Sequence, residues 1–236
     1  MKWELLARNP ADAVEPPQPV HQEMQVLDET ETATLLGEIE NSRLYVPVLL
    51  AITTGLRRGE ILGLRWSDVD LIKGSVMVVS SLEQTVEGLN LKSPKTHRSR
   101  RAVALPPLAV DALRTHRAEQ AAERLAIGSN YNDNGLVCPA PGGSPWRPDV
   151  FSASFTKAIR RMDIRQVRFH DLRHSHATHL LRAGVHPKVV SERLGHSSVG
   201  ITLDTYSHVL PGMQQDAVKL IDAALVAAIR RDKAVK

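Results

Sequence analysis

The sequence predicts an α+β fold that is mainly helical and contains a small three-stranded antiparallel sheet. Apolar residues recur at helical spacing before Trp66 and again after Pro107. Between these two regions the apolar positions lie in short β-branched runs of the kind that form strands. The length of 236 residues and the hydrophobic fraction of 42% suffice for one sizeable core. We therefore expect one main domain at residues 21–210, with smaller segments on either side.

Charge and cysteine content narrow the class of protein. The chain has 30 Lys+Arg against 26 Asp+Glu, a net charge of +4 and a pI near 9.4, which permits a nucleic-acid partner without requiring one. The single cysteine, Cys138, has no internal disulfide partner, which fits a reducing cytosol. The sequence has no apolar run of 18 residues and no signal-peptide pattern, so we expect a soluble, cytoplasmic protein without a membrane partner.

Residues 1–20 combine a short helical fragment with a proline-rich linker. The fragment covers residues 3–7, and prolines follow at positions 10, 16, 17 and 19, which exclude a helix or a central strand. A piece of helix before a stiff linker is typical of the end of another domain. An ordinary N-terminal arm remains the alternative interpretation.

The elements of the first half follow from local signals. Asp28 is expected to cap a helix that ends near residue 40. A second helix crosses residues 44–52 and ends at Gly55, a residue suited to a helix C-terminus. Arg57 then lies in the turn, and Glu60 belongs to a further short helix. This arrangement holds an arginine in a rigid position.

The sheet and the remaining helices follow in order. Extended segments are predicted at about residues 76–82, 89–92 and 101–105. Residues 130–148 are expected to form a loop, with a brief strand at 136–138. Helices are predicted at about residues 108–126, 149–162, 171–183, 187–194, 198–206 and 214–229.

Residues 170–206 concentrate side chains that bind anions or transfer protons. His170 and Arg173 lie three residues apart, so they share one face at a helix N-terminus, where backbone N–H groups also favour an anion. Arg173 offers a planar pair of donors that matches two phosphate oxygens. Taken alone, such a pair is more often part of a solvated helix face. His196 and Tyr206 follow on the same segment.

Other motifs accompany this segment. Residues 54–60 read Thr-Gly-Leu-Arg-Arg-Gly-Glu, residues 95–96 read Lys-Thr, and residues 194–196 read Leu-Gly-His, ten residues before Tyr206. In this order and at these spacings, residues 28–210 resemble the catalytic domain of a tyrosine recombinase, the phage-integrase family. The resemblance implies six catalytic residues: Arg57, Lys95, His170, Arg173, His196 and Tyr206.

The chemistry of these residues agrees with that resemblance. Two arginines oppose the charge that gathers on a phosphodiester under attack. Tyr206 is the expected nucleophile, with its pKa lowered by neighbouring cations, and His170 is the expected general base. Lys95 is suited to protonate the leaving 5′ oxygen, and His196 to hydrogen-bond a phosphate oxygen. The implied 3′-phosphotyrosine conserves bond energy, so rejoining needs no cofactor.

Further basic residues are expected to contact DNA phosphates, which gives an affinity that falls with salt. Glu60 is interpreted as a buried structural partner. The predicted DNA-binding residues are Lys92, Arg98, Arg100, Arg101, Arg160, Arg161, Arg165 and Arg168.

The resemblance also implies an organisation and partners. Residues 1–20 would be the remnant of a core-binding domain and its linker, and residues 211–236 a helical tail exchanged between subunits. The protein would be a monomer when free and a tetramer on double-stranded recombination or attachment sites, near the nucleoid. It would integrate or excise a phage or integrative element, with a directionality factor as a further partner. A chromosome-resolution recombinase remains open.

Three alternative functions compete with this interpretation. His170 and His174 lie four residues apart, the spacing of metal ligands on a helix, and could belong to a metal-dependent hydrolase, although no third ligand is evident. A type IB topoisomerase shares the Arg, Lys and Tyr chemistry. A DNA-binding protein without catalysis is the third. We interpret His174, His176 and His179 as packing or capping residues.

Overall fold

The computed structural model describes residues 14, 24–92, 100–207, 218, 221–223, 225–226 and 229. The predicted α+β class is confirmed, because helices flank two small antiparallel sheets. The predicted tail helix at 214–229 falls largely outside the described residues. Those of its residues that are described are helical.

Three short helices precede the sheets: α1 (Glu29–Glu38), α2 (Tyr45–Thr54) and α3 (Arg58–Leu62). Asp28 caps α1 as predicted, since its carboxylate accepts from the backbone N–H of Glu31 while Glu31 accepts from the backbone N–H of Asp28. Gly55 ends α2 in the left-handed region at φ 69°. The chain therefore turns sharply just before Arg57.

The strands form two sheets where the sequence predicts one. The first has three strands in the order β1–β2–β5, formed by β1 (Val69–Asp70), β2 (Ser75–Val78) and β5 (Arg101–Ala104). The second is a hairpin of β3 (Ser81–Thr85) and β4 (Gly88–Lys92). The predicted segment at residues 76–82 is thus split between the two sheets. The brief strand predicted at 136–138 is a single antiparallel bridge between Arg65 and Leu136.

Five helices form the second half of the described chain. They are α4 (Pro107–Ile127), α5 (Pro148–Ile159), α6 (Asp171–Arg182), α7 (Pro187–Leu194) and α8 (Val199–Tyr206). Proline occupies the first turn of α4, α5 and α7, where its missing N–H costs no helical hydrogen bond. Gly195 ends α7 in the left-handed region at φ 68°.

Two groups of buried apolar residues hold the elements together. The larger joins the helices to both sheets, and in it Phe151 and Phe155 each pack edge-to-face on Phe169. The smaller, made by α6, α7 and α8, includes Leu194 and Tyr206. Helix α2 packs against α6, so the turn that follows α2 lies beside the second half of the chain. None of the helices seen in the described part of the chain is long and apolar enough to cross a membrane.

Candidate active site

The turn after α2 holds Arg57 against the end of α7. Arg57 Nη2 donates to the carbonyl oxygen of Gly195 at 3.2 Å, and Nη1 donates to Glu60 Oε1 at 3.0 Å. The backbone N–H of Arg57 donates to Glu60 Oε2 at 2.8 Å. The side chain of Arg57 remains 43% exposed. A guanidinium has five N–H groups, and two of those of Arg57 are used in these hydrogen bonds. The exposed remainder of the guanidinium is therefore accessible to an anion.

Arg173 lies deeper, in the first turn of α6. Its Nη1 donates to the carbonyl oxygen of Gly55 at 2.6 Å and its Nη2 to that of Leu194 at 2.8 Å. Burial, and then the nearby charge of Arg57, lower the pKa of Arg173. A guanidinium with two carbonyl acceptors nevertheless stays protonated at neutral pH. Arg173 therefore contributes a fixed, poorly solvated positive charge.

Gly55 and Gly195 are required by close packing at these turns. A Cβ on Gly55 would lie 2.6 Å from Leu194 Cδ2 and 2.7 Å from His176 Cδ2. A Cβ on Gly195 would lie 2.7 Å from Arg101 Nη1 and 2.9 Å from Arg101 Cζ. Both residues also have positive φ, which disfavours any side chain. Gly195 thus allows Arg101 to approach the backbone, and Gly55 allows Leu194 and His176 to pack against the turn before Arg57.

The C-terminal end of α7 gathers three arginines. The carbonyl oxygens of residues 193, 194 and 195 accept from Arg101 Nε at 2.9 Å, Arg173 Nη2 at 2.8 Å and Arg57 Nη2 at 3.2 Å, respectively. The last carbonyls of a helix have no helical partner and carry the negative end of its dipole. They therefore suit cationic donors, and they fix Arg57, Arg101 and Arg173 side by side. We call these three residues the arginine cluster.

Glu60 balances part of this positive charge. Its carboxylate accepts hydrogen bonds from both terminal nitrogens of Arg101, Nη1 at 3.0 Å and Nη2 at 2.9 Å. It also pairs with Arg57. The side chains of Arg101 and Glu60 are only 8% and 7% exposed. Burial acts to raise the pKa of Glu60, but hydrogen bonds and charge from Arg101, and then Arg57, lower it overall. Glu60 is thus a buried anion between two arginines.

The setting of Arg101 does not fit the contact with DNA phosphates that the sequence predicts for it. Its guanidinium is buried, and the Glu60 carboxylate and the carbonyl oxygen of Arg193 occupy all three of its nitrogens. A phosphate would have to replace the partners of a buried ion pair. The side chain instead attaches β5 to α3 and α7.

His196 and His170 are both held neutral beside the arginine cluster. His196 Nδ1 lies 2.9 Å from Thr202 Oγ1 on α8. Burial, and then Arg173, lower the pKa of His196 to about 4. His170 is an exposed residue at the start of α6, and loss of water around its ring, and then Arg173, lower its pKa as well. A neutral imidazole can both accept a proton and donate one hydrogen bond.

Tyr206 ends α8 and is 1% exposed, packed among apolar residues of α6 and α7. Its Oη lies 2.7 Å from His174 Nδ1. Burial raises the pKa of Tyr206 to about 12. Arg173 acts to lower that pKa, as expected, but burial outweighs this effect. The phenol is therefore protonated throughout the physiological range.

The contact between His174 and Tyr206 is the feature of the site that the sequence analysis does not anticipate. His176 and His179 have packing roles, as expected. His176 Nδ1 is hydrogen-bonded to the carbonyl oxygen of Ile52 at 2.8 Å, and its Nε2 accepts from Arg193 Nε. His179 Nε2 is hydrogen-bonded to the carbonyl oxygen of Leu27 at 2.9 Å. His174 instead contacts the phenol of Tyr206. The four-residue step from His170 to His174 on one helix face is a sequence signal for a shared site, but it also fits a pair of metal ligands.

A cleft of about 1200 Å³ opens beside the cluster. Residues of the β3–β4 hairpin, the start of α5 and His170 line it, together with Arg57, Arg58 and Arg168. Arg58 Nη1 donates to Ser152 Oγ at 2.6 Å, and both residues line the cleft. The lining of the cleft thus combines these three arginines with the carboxylates of Glu83 and Asp149.

The other predicted basic residues differ in setting. Lys95 and Arg98 lie outside the described residues. Lys92 pairs with Glu83 on the hairpin, and Arg168 is 72% exposed while it pairs with Asp171. Arg165 donates to the carbonyl oxygen of Val26 and approaches Glu31, and Arg100, Arg160 and Arg161 are exposed. Their contacts with DNA stay predictions.

Within the described ranges, no three or more His, Cys, Asp or Glu side chains are grouped so that they could hold a metal ion. His170 and His174, the pair on which a metal-dependent hydrolase would depend, meet edge-to-face with ring centroids 5.1 Å apart. His174 Nδ1 is engaged by Tyr206.

Comparisons with known proteins agree with this geometry. The model of the phage integrase family matches residues 25–212. The chain belongs to the phage integrase family of tyrosine recombinases. A XerC-like tyrosine recombinase of Caldanaerobacter subterraneus subsp. tengcongensis is 33% identical over 235 residues, covering 92% of this chain and 60% of the relative. The ICEBs1 integrase of Bacillus subtilis is 30% identical over 226 residues, covering 94% and 61%. This phage-integrase chain thus spans about 60% of the length of these two relatives.

Solved structures share the fold of this integrase-family chain. The Tn1549 transposon integrase, in complex with transposon right end DNA, superposes with a TM-score of 0.74 at 18% identity, covering 92% of this chain and 71% of that one. The XerA recombinase gives 0.65 at 23% identity, covering 88% and 66%. These similarities agree with the fold found for the described residues.

Proposed function

We propose that this chain is the catalytic part of a site-specific DNA recombinase that cleaves and rejoins strands through a 3′-phosphotyrosine. The strongest support is the arginine cluster on the carbonyls at the end of α7, which sets Arg57 and Arg173 near His196, and Arg173 near Tyr206. Such a set of cations and neutral donors suits a phosphodiester that gains negative charge during attack.

The arginines are proposed to bind the non-bridging phosphate oxygens. Arg57 and Arg173 are already oriented by their carbonyl partners, so little reorganisation is needed when an anion arrives. Thr202 donates its hydroxyl hydrogen to His196 Nδ1 in this proposal, which leaves the hydrogen of the neutral ring on Nε2. Nε2 can then donate to a phosphate oxygen.

Tyr206 is proposed as the nucleophile. Its Oη forms a bond to phosphorus while the bond from phosphorus to the 5′ oxygen breaks. The phenolic proton passes to His170, and the 5′ oxygen takes a proton from Lys95. Because the phosphotyrosine retains the energy of the broken bond, a 5′ hydroxyl can reverse the reaction without ATP.

The proposal extends to partners and domain organisation. The substrate is double-stranded DNA at attachment sites of a phage or integrative element in the cytoplasm, at the nucleoid, and four subunits act together on it with a directionality factor as accessory. Residues 1–20 are proposed as the remnant of a core-binding domain and linker, and residues 21–210 as the catalytic domain. Because sequence recognition is assigned to that other domain, this chain alone should bind DNA weakly.

The tail at residues 211–236 is proposed to pack on a neighbouring subunit. Among its described residues, Val218, Ile221, Leu225 and Ile229 are 64%, 64%, 58% and 55% exposed, an apolar surface that a second copy would cover. Deleting residues 212–236 should reduce synapsis of two DNA sites, measured by native gel. Unchanged synapsis would exclude this role.

The central test uses a nicked suicide DNA substrate that traps the covalent intermediate, in the presence of EDTA. A protein–DNA adduct on a denaturing gel is expected with the native chain and not with Tyr206→Phe. Tyr45→Phe, at a tyrosine on α2, is the matched control and should keep the adduct. An adduct that survives in Tyr206→Phe, or that requires added metal, would refute the proposal.

A further inference from the structure

The hydroxyl of Tyr206 has one hydrogen-bond partner among the described residues, His174. The Oη to Nδ1 distance is 2.7 Å, within the range of a good hydrogen bond, and the two ring centroids lie 5.8 Å apart with a tilt of 53°. His170, the expected general base for this phenol, packs against the ring of His174 instead, with the two ring centroids 5.1 Å apart.

Both partners of this hydrogen bond are neutral. Burial raises the pKa of Tyr206 to about 12, so the phenol carries its hydrogen. Burial, and then the neighbouring His170, lower the pKa of His174 to about 4, so its ring is neutral. Because the phenol can donate and a neutral ring with its hydrogen on Nε2 can accept at Nδ1, we assign this direction to the hydrogen bond.

Both ends of the contact are rigidly supported. The ring of Tyr206 is enclosed by apolar side chains that include Ala177, Leu181, Val190 and Leu194. His174 lies on α6 directly after the buried Arg173, whose charge acts on the phenol of Tyr206. Apolar packing thus sets the position of the Tyr206 ring, and the hydrogen bond to His174 sets the direction of its hydroxyl group.

We propose that His174 positions the nucleophile, by accepting a hydrogen bond that directs Tyr206 Oη towards the anion site of Arg57 and Arg173. This inference rests on the proposed role of Tyr206 and adds a residue that the six assigned by resemblance do not include. Misplacing a reacting atom by about 1 Å can cost on the order of 10²-fold in rate. His174 accepts the hydrogen bond that orients the phenol before attack, and the proton itself still passes to His170 during attack.

The test exploits the identity of the accepting nitrogen. In His174→Asn, the side-chain oxygen lies near the former position of Nδ1, whereas in His174→Gln it lies near Nε2, and His174→Leu has no acceptor. Adduct formation on the suicide substrate is timed for each full-length variant, alongside DNA affinity and thermal unfolding. His179→Leu, on the same helix but away from Tyr206, is the matched control.

We expect adduct formation to slow by about 10²-fold in His174→Leu and His174→Gln, and to stay within about threefold of native in His174→Asn. DNA affinity should be unchanged in all of them. A purely structural defect would not follow the position of the acceptor, so the contrast between His174→Asn and His174→Gln separates the two explanations. A native rate in His174→Leu, a faster rate there, or a failure of His174→Asn to restore the rate would each overturn the inference. If the native protein forms no adduct at Tyr206, the proposed function itself fails, which is a distinct result.

Discussion

Replacing Arg101 by Met should destabilise the protein through the buried carboxylate of Glu60. The substitution removes two hydrogen bonds to Glu60, at 3.0 and 2.9 Å, and one to the carbonyl oxygen of Arg193 at 2.9 Å. Removing one partner of a buried ion pair typically costs 3–5 kcal/mol. Arg57 still neutralises part of the carboxylate charge, so we expect a loss of about 3 kcal/mol, at the lower end of that range.

Urea unfolding of four proteins measures this effect: native, Arg101→Met, Glu60→Gln and the double variant. The double variant buries no unpaired carboxylate and no unpaired guanidinium at this site. Its loss should therefore fall short of the sum of the two single losses by about 2 kcal/mol, as for residues in direct contact. Losses that add to within about 0.5 kcal/mol would refute the view that the pair is coupled.

The pH dependence gives a second check on the same pair. In the native protein the pKa of Glu60 lies below its ordinary value of 4.5, so the stability it contributes is complete above pH 4.5 and is lost as pH falls through the lower, folded-state pKa. In Arg101→Met, burial is no longer offset by Arg101, and the pKa of Glu60 should rise. Lowering the pH then protonates the buried carboxylate of Glu60 in the variant and removes its unpaired charge. The difference in unfolding free energy between the two proteins should therefore shrink as pH falls from about 7 to about 4.

Three further predictions follow from the site. Gly195→Ala should cost about 1–2 kcal/mol for its left-handed backbone, and more because its Cβ would lie 2.7 Å from Arg101 Nη1, which a urea titration would detect. Lys95→Ala should abolish the adduct on ordinary DNA but not on DNA with sulfur in place of the leaving 5′ oxygen, because a thiolate leaves without a proton donor. The double variant Arg160→Ala, Arg161→Ala should have a shallower slope of log DNA affinity against log salt concentration, by the equivalent of about one to two phosphate contacts. Fluorescence anisotropy at several salt concentrations measures this slope.

Each of these has a matched control. Gly184 also has a positive φ, 79°, but nothing lies within 4 Å of an added Cβ, so Gly184→Ala should show the backbone cost alone. Equal losses at Gly184 and Gly195 would contradict the close-packing argument. Tyr206→Phe should stay inactive on the sulfur substrate, and inactivity of Lys95→Ala there would remove its assigned role. Arg114→Ala, at an exposed arginine of α4 that is paired with Asp111, should leave the salt slope unchanged.

The sequence predicted local features well where they depend on neighbouring residues. The cap at Asp28 and the C-terminal glycine at position 55 needed only the residues beside them. The sheet was harder, because strand partners are chosen by packing and not by the strand sequence alone. The β-branched run near Val78 was therefore expected to form one strand, although it crosses from one sheet to another.

By itself, the sequence determined the α+β class, the family and which side chains are able to do chemistry, since these depend on periodicity and on motif order. Only the tertiary structure decided what each of them meets. Arg101 appeared as one basic residue in a basic turn, yet it is buried on Glu60, a residue 41 positions earlier. His174 appeared to be one histidine among several, yet it bonds Tyr206, 32 positions later. Contacts across such distances depend on how helices and strands pack, and a guanidinium or an imidazole has the same local sequence signature whether it binds a phosphate or a neighbouring side chain.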